Sequence, residues 1–260
     1  MAIVLTQLTS LLFVAIVDHV TIRVRDLARS AGFYDRVFEH LGFAGTRYDG
    51  EGFEWDDFSI GAADGERAVT TGLHVAFTAD SREQIDGWWS ALTEAGYDDL
   101  GAPGPRPEYG GTYYGAFVAD PDGNSIEAVR HETTTPDPGL IDHLWIRVGN
   151  LEPTRRFYTA VAAAVGLTAR ERPNRLQVVA TGATFSFLEG DAVTRNLHLA
   201  IGVDRADVVD RFHRDGLQAG GLDNGAPGER PRYHVGYYGA YLLDPDGNNV
   251  EAVYHDRSRL

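Results

Sequence analysis

The chain of 260 residues contains no cysteine. Disulfides, thiolate nucleophiles and zinc–thiolate centres are therefore excluded together, and a reducing compartment suits such a chain. Lysine is absent too. All 23 basic residues are arginine, which removes Schiff-base chemistry and lysine general bases. Positive charge is scarce overall: against 38 acidic residues the formal net charge is −15, so nucleic acid and anionic membrane surfaces are not expected as partners. Long apolar runs are also missing. The stretch MAIVLTQLTSLLFVAIV has no basic flank, and its longest unbroken apolar run is seven residues, too short to span a bilayer. Residues 1–16 read as an N-terminal extension, and the chain as a soluble, cytoplasmic protein.

What is present is a duplication. VDHVTIRV at 17–24 returns as IDHLWIRV at 141–148, an offset of 124 residues. GLHVAF at 72–77 returns as NLHLAI at 196–201, and the long segment from 101, ending DPDGNSIEAV, returns from 225, ending DPDGNNVEAV, both at the same offset. Self-similarity at this period means two tandem modules. They are expected at 17–130 and 140–260, joined by the polar, proline-containing stretch 131–139 as a linker.

Each module divides into two halves with the same order of elements. A helix is expected over about 27–41 behind Asp26 as N-cap, with Tyr34, Val37, Phe38 and Leu41 on one face and Gly42 as its stop. A second follows Ser81, with Gln84 completing a capping box and Ile85, Trp88, Trp89 and Leu92 as its apolar face. In module two, helices are expected after Glu152-Pro153 and Asp204, with Gly166 and Gly216 near their ends. The DPDG turns sit between strand-like flanks and read as hairpins. Strand, helix and three strands, four times over, give an α+β fold with helices packed on one side of mostly antiparallel sheets.

In DHVTIRV the period of two puts Val20, Ile22 and Val24 on one face, and His19, Thr21 and Arg23 on the other. A lone strand histidine or glutamate is ordinarily a surface residue or a satisfied core one. Here both recur in step: His19, His74 and Glu127 become His143, His198 and Glu251 with no change of spacing, although neighbouring positions differ, as Thr21 and Trp145 do.

These DH strands, the LHVAF and LHLAI strands, and the DPDGN…E hairpins resemble the vicinal oxygen chelate superfamily, which includes glyoxalases, bleomycin-resistance proteins, epimerases and extradiol dioxygenases. The resemblance covers nearly all of residues 17–256. It implies four βαβββ units forming two incomplete barrels around divalent metals, with His19, His74, Glu127, His143, His198 and Glu251 as ligands. Two imidazoles and a carboxylate suit Fe(II), which is favoured, with Mn(II), Ni(II), Co(II) or Zn(II) as alternatives.

HVGYYGAYLLDPDGNNVE is similar to the extradiol signature. That makes Tyr241 a candidate donor to a substrate oxygen and His234 a pocket residue. Module one has Phe117 and Gly110 at those positions, so the second copy is the stronger catalytic candidate. Arg106, Tyr114, Arg230 and Tyr238 flank the hairpins as candidate substrate contacts, the arginines equally suited to pinning their loops. An extradiol-type dioxygenase acting on a vicinal diol or enediol is the leading expectation. A glyoxalase- or epimerase-like isomerase wants a further Glu or Gln ligand; VVATGATFSFLEGD offers only Ser186, Glu189 and neighbours, while module one offers Glu54, Asp56 and Asp57. A drug- or metabolite-binding protein without catalysis is the third reading. The expected partner is a small molecule, and the chain a monomeric pseudo-dimer or a homodimer. Grouping of ligands within each module is expected over an exchange of halves between modules.

Overall fold

The computed structural model describes residues 16–48, 52–131 and 139–259. The N-terminal extension and most of the linker lie outside the described residues. Four units follow one another, each a strand, a helix and three strands. The first holds β1 (Ile16–Val24), α1 (Leu27–Leu41), β2 (Thr46–Tyr48), β3 (Gly52–Trp55) and β4 (Phe58–Ala62). The second holds β5 (Leu73–Thr78), α2 (Arg82–Glu94), β6 (Asp99–Pro105), β7 (Tyr114–Ala119) and β8 (Ser125–Arg130). The third holds β9 (Ile141–Val148), α3 (Leu151–Val165), β10 (Thr168–Arg172), β11 (Arg175–Val179) and β12 (Thr184–Glu189). The fourth holds β13 (His198–Val203), α4 (Ala206–Gln218), β14 (Leu222–Glu229), β15 (Tyr237–Leu243) and β16 (Asn249–His255). No described helix is long and apolar enough to cross a membrane.

The helix signals act much as the residues dictate. Asp26 accepts the Arg29 N–H, and Gly42 closes α1 at φ 87°, a conformation that side chains resist. Ser81 caps α2 through the Gln84 N–H. One boundary differs from expectation. α3 starts at Leu151 behind Asn150, whose side chain accepts the Glu152 N–H, so Pro153 lies inside the first turn where its missing N–H costs nothing. Gly216 stands near the end of α4, as expected, and is buried where the helix lies against Leu242.

The DPDGN turns hold each module together. The Asp120 carboxylate accepts the backbone N–H groups of Asp122 and Asn124, the Asn124 side-chain amide, and the Tyr34 hydroxyl from α1 at 2.9 Å. Asp244 repeats the arrangement with Asp246, Asn248 and Tyr158. Burial raises the pKa of both carboxyls, and the donors oppose it.

The eight-stranded sheets are built across the duplication. One runs β14-β15-β16-β13-β1-β4-β3-β2, the other β10-β11-β12-β9-β5-β8-β7-β6. β1 pairs antiparallel with β13, and β5 with β9. Each sheet therefore combines the first half of one module with the second half of the other. This corrects the within-module expectation. Helices α1 and α2 pack together, as do α3 and α4, against the apolar faces of the strands. Val20, Ile22 and Val24 are fully buried beneath them, which leaves the histidine face to the concave side.

Candidate metal centres

Exchange of halves brings the six expected ligands into two clusters. His19, His198 and Glu251 form one; His74, Glu127 and His143 form the other. In the first, His19 Nε2 lies 3.0 Å from His198 Nε2, and Glu251 Oε2 lies 3.1 Å from His198 and 3.9 Å from His19. In the second, Glu127 Oε2 lies 3.1 Å from His74 Nε2 and 3.5 Å from His143 Nε2, and the two nitrogens are 3.4 Å apart.

Neighbours fix each ligand. The His19 and His143 Nδ1–H groups donate to Asp18 and Asp142 at 2.8 and 2.6 Å. That assigns their Nε2 atoms as bare lone pairs aimed at the cluster. His74 Nδ1 meets Ser125 Oγ at 2.9 Å. The second carboxylate oxygens are occupied too: Tyr113 donates to Glu127 Oε1 at 2.6 Å, and Tyr237 to Glu251 Oε1 at 2.7 Å. Lone pairs converging at such distances repel unless a cation or proton lies between them. Burial pushes Glu127 up to about 7, partly opposed by His143 and Tyr113, and burial with nearby Arg147 pushes His74 down to about 4. Ligands about 2.1 Å from one ion and at right angles would stand about 3 Å apart, so the donor set fits a divalent metal.

Support extends outward on both sides. Asp142 also meets His131 at 3.3 Å. Asp18 accepts from His255 Nε2 at 2.8 Å, His255 Nδ1 meets His234 Nε2 at 2.8 Å, and His234 Nδ1 donates to the Val235 carbonyl. His234 thus stands at the outer end of a hydrogen-bonded line from His19. None of Asp18, Asp142, Tyr113, Tyr237, His131 and His255 was singled out from the sequence. A signal existed: all six repeat at the ligands' own offset, and Tyr113 and Tyr237 have the strand parity of Phe117 and Tyr241.

Tyr114 and Tyr238, the expected substrate contacts, are corrected by that same parity. They point to the helix side and donate to Asp86 and Asp210. Arg106 and Arg230 bind loop carbonyls of Ala102 and Ala226 and lie over the rings of Phe117 and Tyr241, so they pin their loops. Tyr241 is 8% exposed and its hydroxyl has no hydrogen-bond partner among the described residues; burial and Glu251 raise its pKa.

Among the described residues, neither cluster holds a fourth ligand. Ser59 and Ser186 stand on the strands beside the ligand histidines, and Ser59 Oγ meets Thr21 Oγ1 at 2.7 Å. Glu54 faces Ser59 across β3 and β4, near enough to His19 to favour its charged form. Asp57 accepts the backbone N–H groups of Leu140 and Ile141, and Asp56 occupies the turn at φ 49°; both are structural. A cavity of about 900 Å³ opens onto the His74, Glu127 and His143 centre. Substrate room thus lies beside Phe117, although the sequence favoured the centre that carries Tyr241.

No curated protein matches the sequence. Among solved structures, glyoxalase I from Zea mays superposes with a TM-score of 0.67 at 21% identity, covering 93% of this chain and 92% of that one. A protein of Bacillus subtilis subsp. subtilis str. 168, titled "putative dioxygenase", gives 0.60 at 13% identity, covering 93% and 85%. At these identities the likeness is one of fold. Residues 16–128 match the family model of the Glyoxalase/Bleomycin resistance protein/Dioxygenase superfamily. Residues 140–256 repeat that matched segment at a constant offset of 124, so the chain carries one domain of this superfamily and a second copy of the same sequence pattern.

Proposed function

We propose that the chain is a divalent-metal-dependent enzyme of dioxygenase type, acting on a small molecule that presents two adjacent oxygens. The observation that carries this reading is the composition of each centre: two imidazole nitrogens and one carboxylate oxygen, with a serine where a fourth ligand would come. Such a triad leaves adjacent coordination positions open and suits Fe(II). When bound, the ion would supply Lewis acidity to a vicinal diol or enediol.

The chain's own residues do the rest. Tyr113 and Tyr237 hold one oxygen of each glutamate so that the other faces inward. Asp18 and Asp142 fix the ring orientation of His19 and His143. The unpartnered Tyr241 hydroxyl is free to donate to a substrate oxygen at the His19 centre.

Glu54 favours a second reading. A carboxylate beside Ser59 on the His19 face would serve an isomerase as further ligand or base. The test is reconstitution of metal-free protein with each of Fe(II), Mn(II), Ni(II), Co(II) and Zn(II), followed by oxygen uptake with a panel of vicinal diols. Uptake with Fe(II), lost together with metal in Glu127→Ala/Glu251→Ala, is expected. Turnover of a 2-oxoaldehyde–thiol adduct with Ni(II) or Zn(II), and none of oxygen, would give the reaction to the isomerase reading. Absence of stoichiometric metal would leave a binding protein.

A further inference from the structure

The two centres share their ligands but differ in what surrounds them. Strand pairing sets the comparison row by row. In one barrel, Trp145 on β9 faces Ser186 on β12, which faces Gln177 on β11. In the other, Thr21 faces Ser59, which faces Glu54. Two residues further along, β9 and β11 carry Arg147 and Arg175, whereas β1 and β3 carry Arg23 and Gly52. Trp145, Gln177, Arg147 and Arg175 all line the 900 Å³ cavity.

Arg147 and Arg175 are half-buried, and neither guanidinium has a hydrogen bond or an ion pair among the described residues. A chain of net charge −15 has acids to spare for every arginine. Four acids line this cavity as well: tyrosine and histidine occupy Glu127 and Asp142, while Asp80 and Glu108 are exposed and pair with neither arginine. Holding two cations partly desolvated in one cavity costs free energy unless an anion completes them. Their distance from the metal ligands is defined as well. Arg147 follows His143 by four residues on one strand, about 13 Å of backbone, with Trp145 between them on the same face.

We infer that the His74, Glu127 and His143 centre takes a planar, anionic substrate. Its carboxylate, or an equivalent oxyanion, is held by Arg147 and Arg175, and its conjugated body lies along Trp145. The other centre lacks the indole and the second arginine, and carries Glu54 instead, so it does not share this preference. The inference rests on the reading of this cavity as a substrate site, but not on the reaction or the metal.

The test uses probes without a diol, so that metal chemistry plays no part. Naphthalene-2-carboxylate and naphthalene-2-carboxamide are titrated into chelator-treated full-length protein by calorimetry and by quenching of tryptophan fluorescence. The carboxylate is expected to bind at least tenfold more tightly than the amide, with quenching that disappears in Trp145→Phe. Arg175→Gln should cut that preference several-fold and leave amide binding unchanged, and Arg147→Gln/Arg175→Gln should abolish it. Equal binding of the two probes, or a preference that survives in the double variant with unchanged circular dichroism, overturns the inference. Failure of oxygen uptake with these results intact would count against the dioxygenase reading alone.

Discussion

Asp57 shows how one side chain joins the duplicates. It sits in the turn between β3 and β4, is 8% exposed, and accepts the N–H groups of Leu140 and Ile141 at the start of β9. Its Oδ1 has no partner among the described residues, and burial pushes its pKa up to about 7. An unfolded aspartate titrates near 3.9. The folded state thus holds this proton more tightly, and stability is lost as pH rises from about 4 to about 7. Asp57→Asn keeps the acceptor and removes the charge, so its stability relative to the parent should rise between pH 5 and pH 8, by about 1–3 kcal/mol. Glu127 titrates in the same window but is common to both proteins. Urea denaturation of metal-free protein at the two pH values reads the difference. A constant gap would mean that Asp57 stays ionised throughout. The sequence pointed to this acid only as a possible ligand, since its partners lie more than eighty residues away. The ligands themselves were legible because each copy repeats them, and Tyr113 and Tyr237 would have been had strand parity been followed through the YY pairs.

At the scale of elements, helix starts could be read where a side chain reaches the first turn, as Asp26 and Ser81 do. The start of α3 was misread, because Asn150 caps it ahead of Pro153. Glycines near helix ends were legible by position but not by role. Gly42 and Gly166 end their helices at positive φ, but Gly216 is a contact glycine: a Cβ there would lie 2.3 Å from Leu242 Cδ1 and 3.6 Å from Phe157 and Val161. Leu242 is fully buried and has no room to yield. Gly216→Ala gains helix propensity of about 1 kcal/mol but meets overpacking of about 1–3 kcal/mol, so a net loss is expected. Gly32 and Gly87 provide the control, being exposed in α1 and α2 with nothing within 4 Å of a Cβ. Gly32→Ala and Gly87→Ala should raise the melting temperature, while Gly216→Ala lowers it. A rise in all three would show that α4 can move away from the sheet.

At the scale of the whole molecule, the duplication was legible and the partner of each strand was not. The physical reason lies in the strands themselves. β1 and β9 are near-copies, and so are β5 and β13, so β1 presents nearly the same edge to either partner. Local pairing energy cannot choose between closing a module on itself and exchanging halves. Exchange leaves α1 packed on α2 and α3 on α4 while the sheets cross between modules, so each centre draws ligands from both copies. Metal content can separate the two arrangements. His19→Ala/His198→Ala removes two ligands from one centre and none from the other, so one tightly bound divalent ion per chain should remain, against two in the parent. The companion His19→Ala/His74→Ala damages both centres and should bring tight binding close to zero. Glu251 would be left with no imidazole in the first variant, and a buried carboxylate alone cannot replace them. Metal analysis after dialysis, on variants shown by circular dichroism and gel filtration to be folded and of parental size, decides it. The reverse result, with one ion kept by His19→Ala/His74→Ala and none by His19→Ala/His198→Ala, would return the ligands to single modules and require β1 to pair with β5.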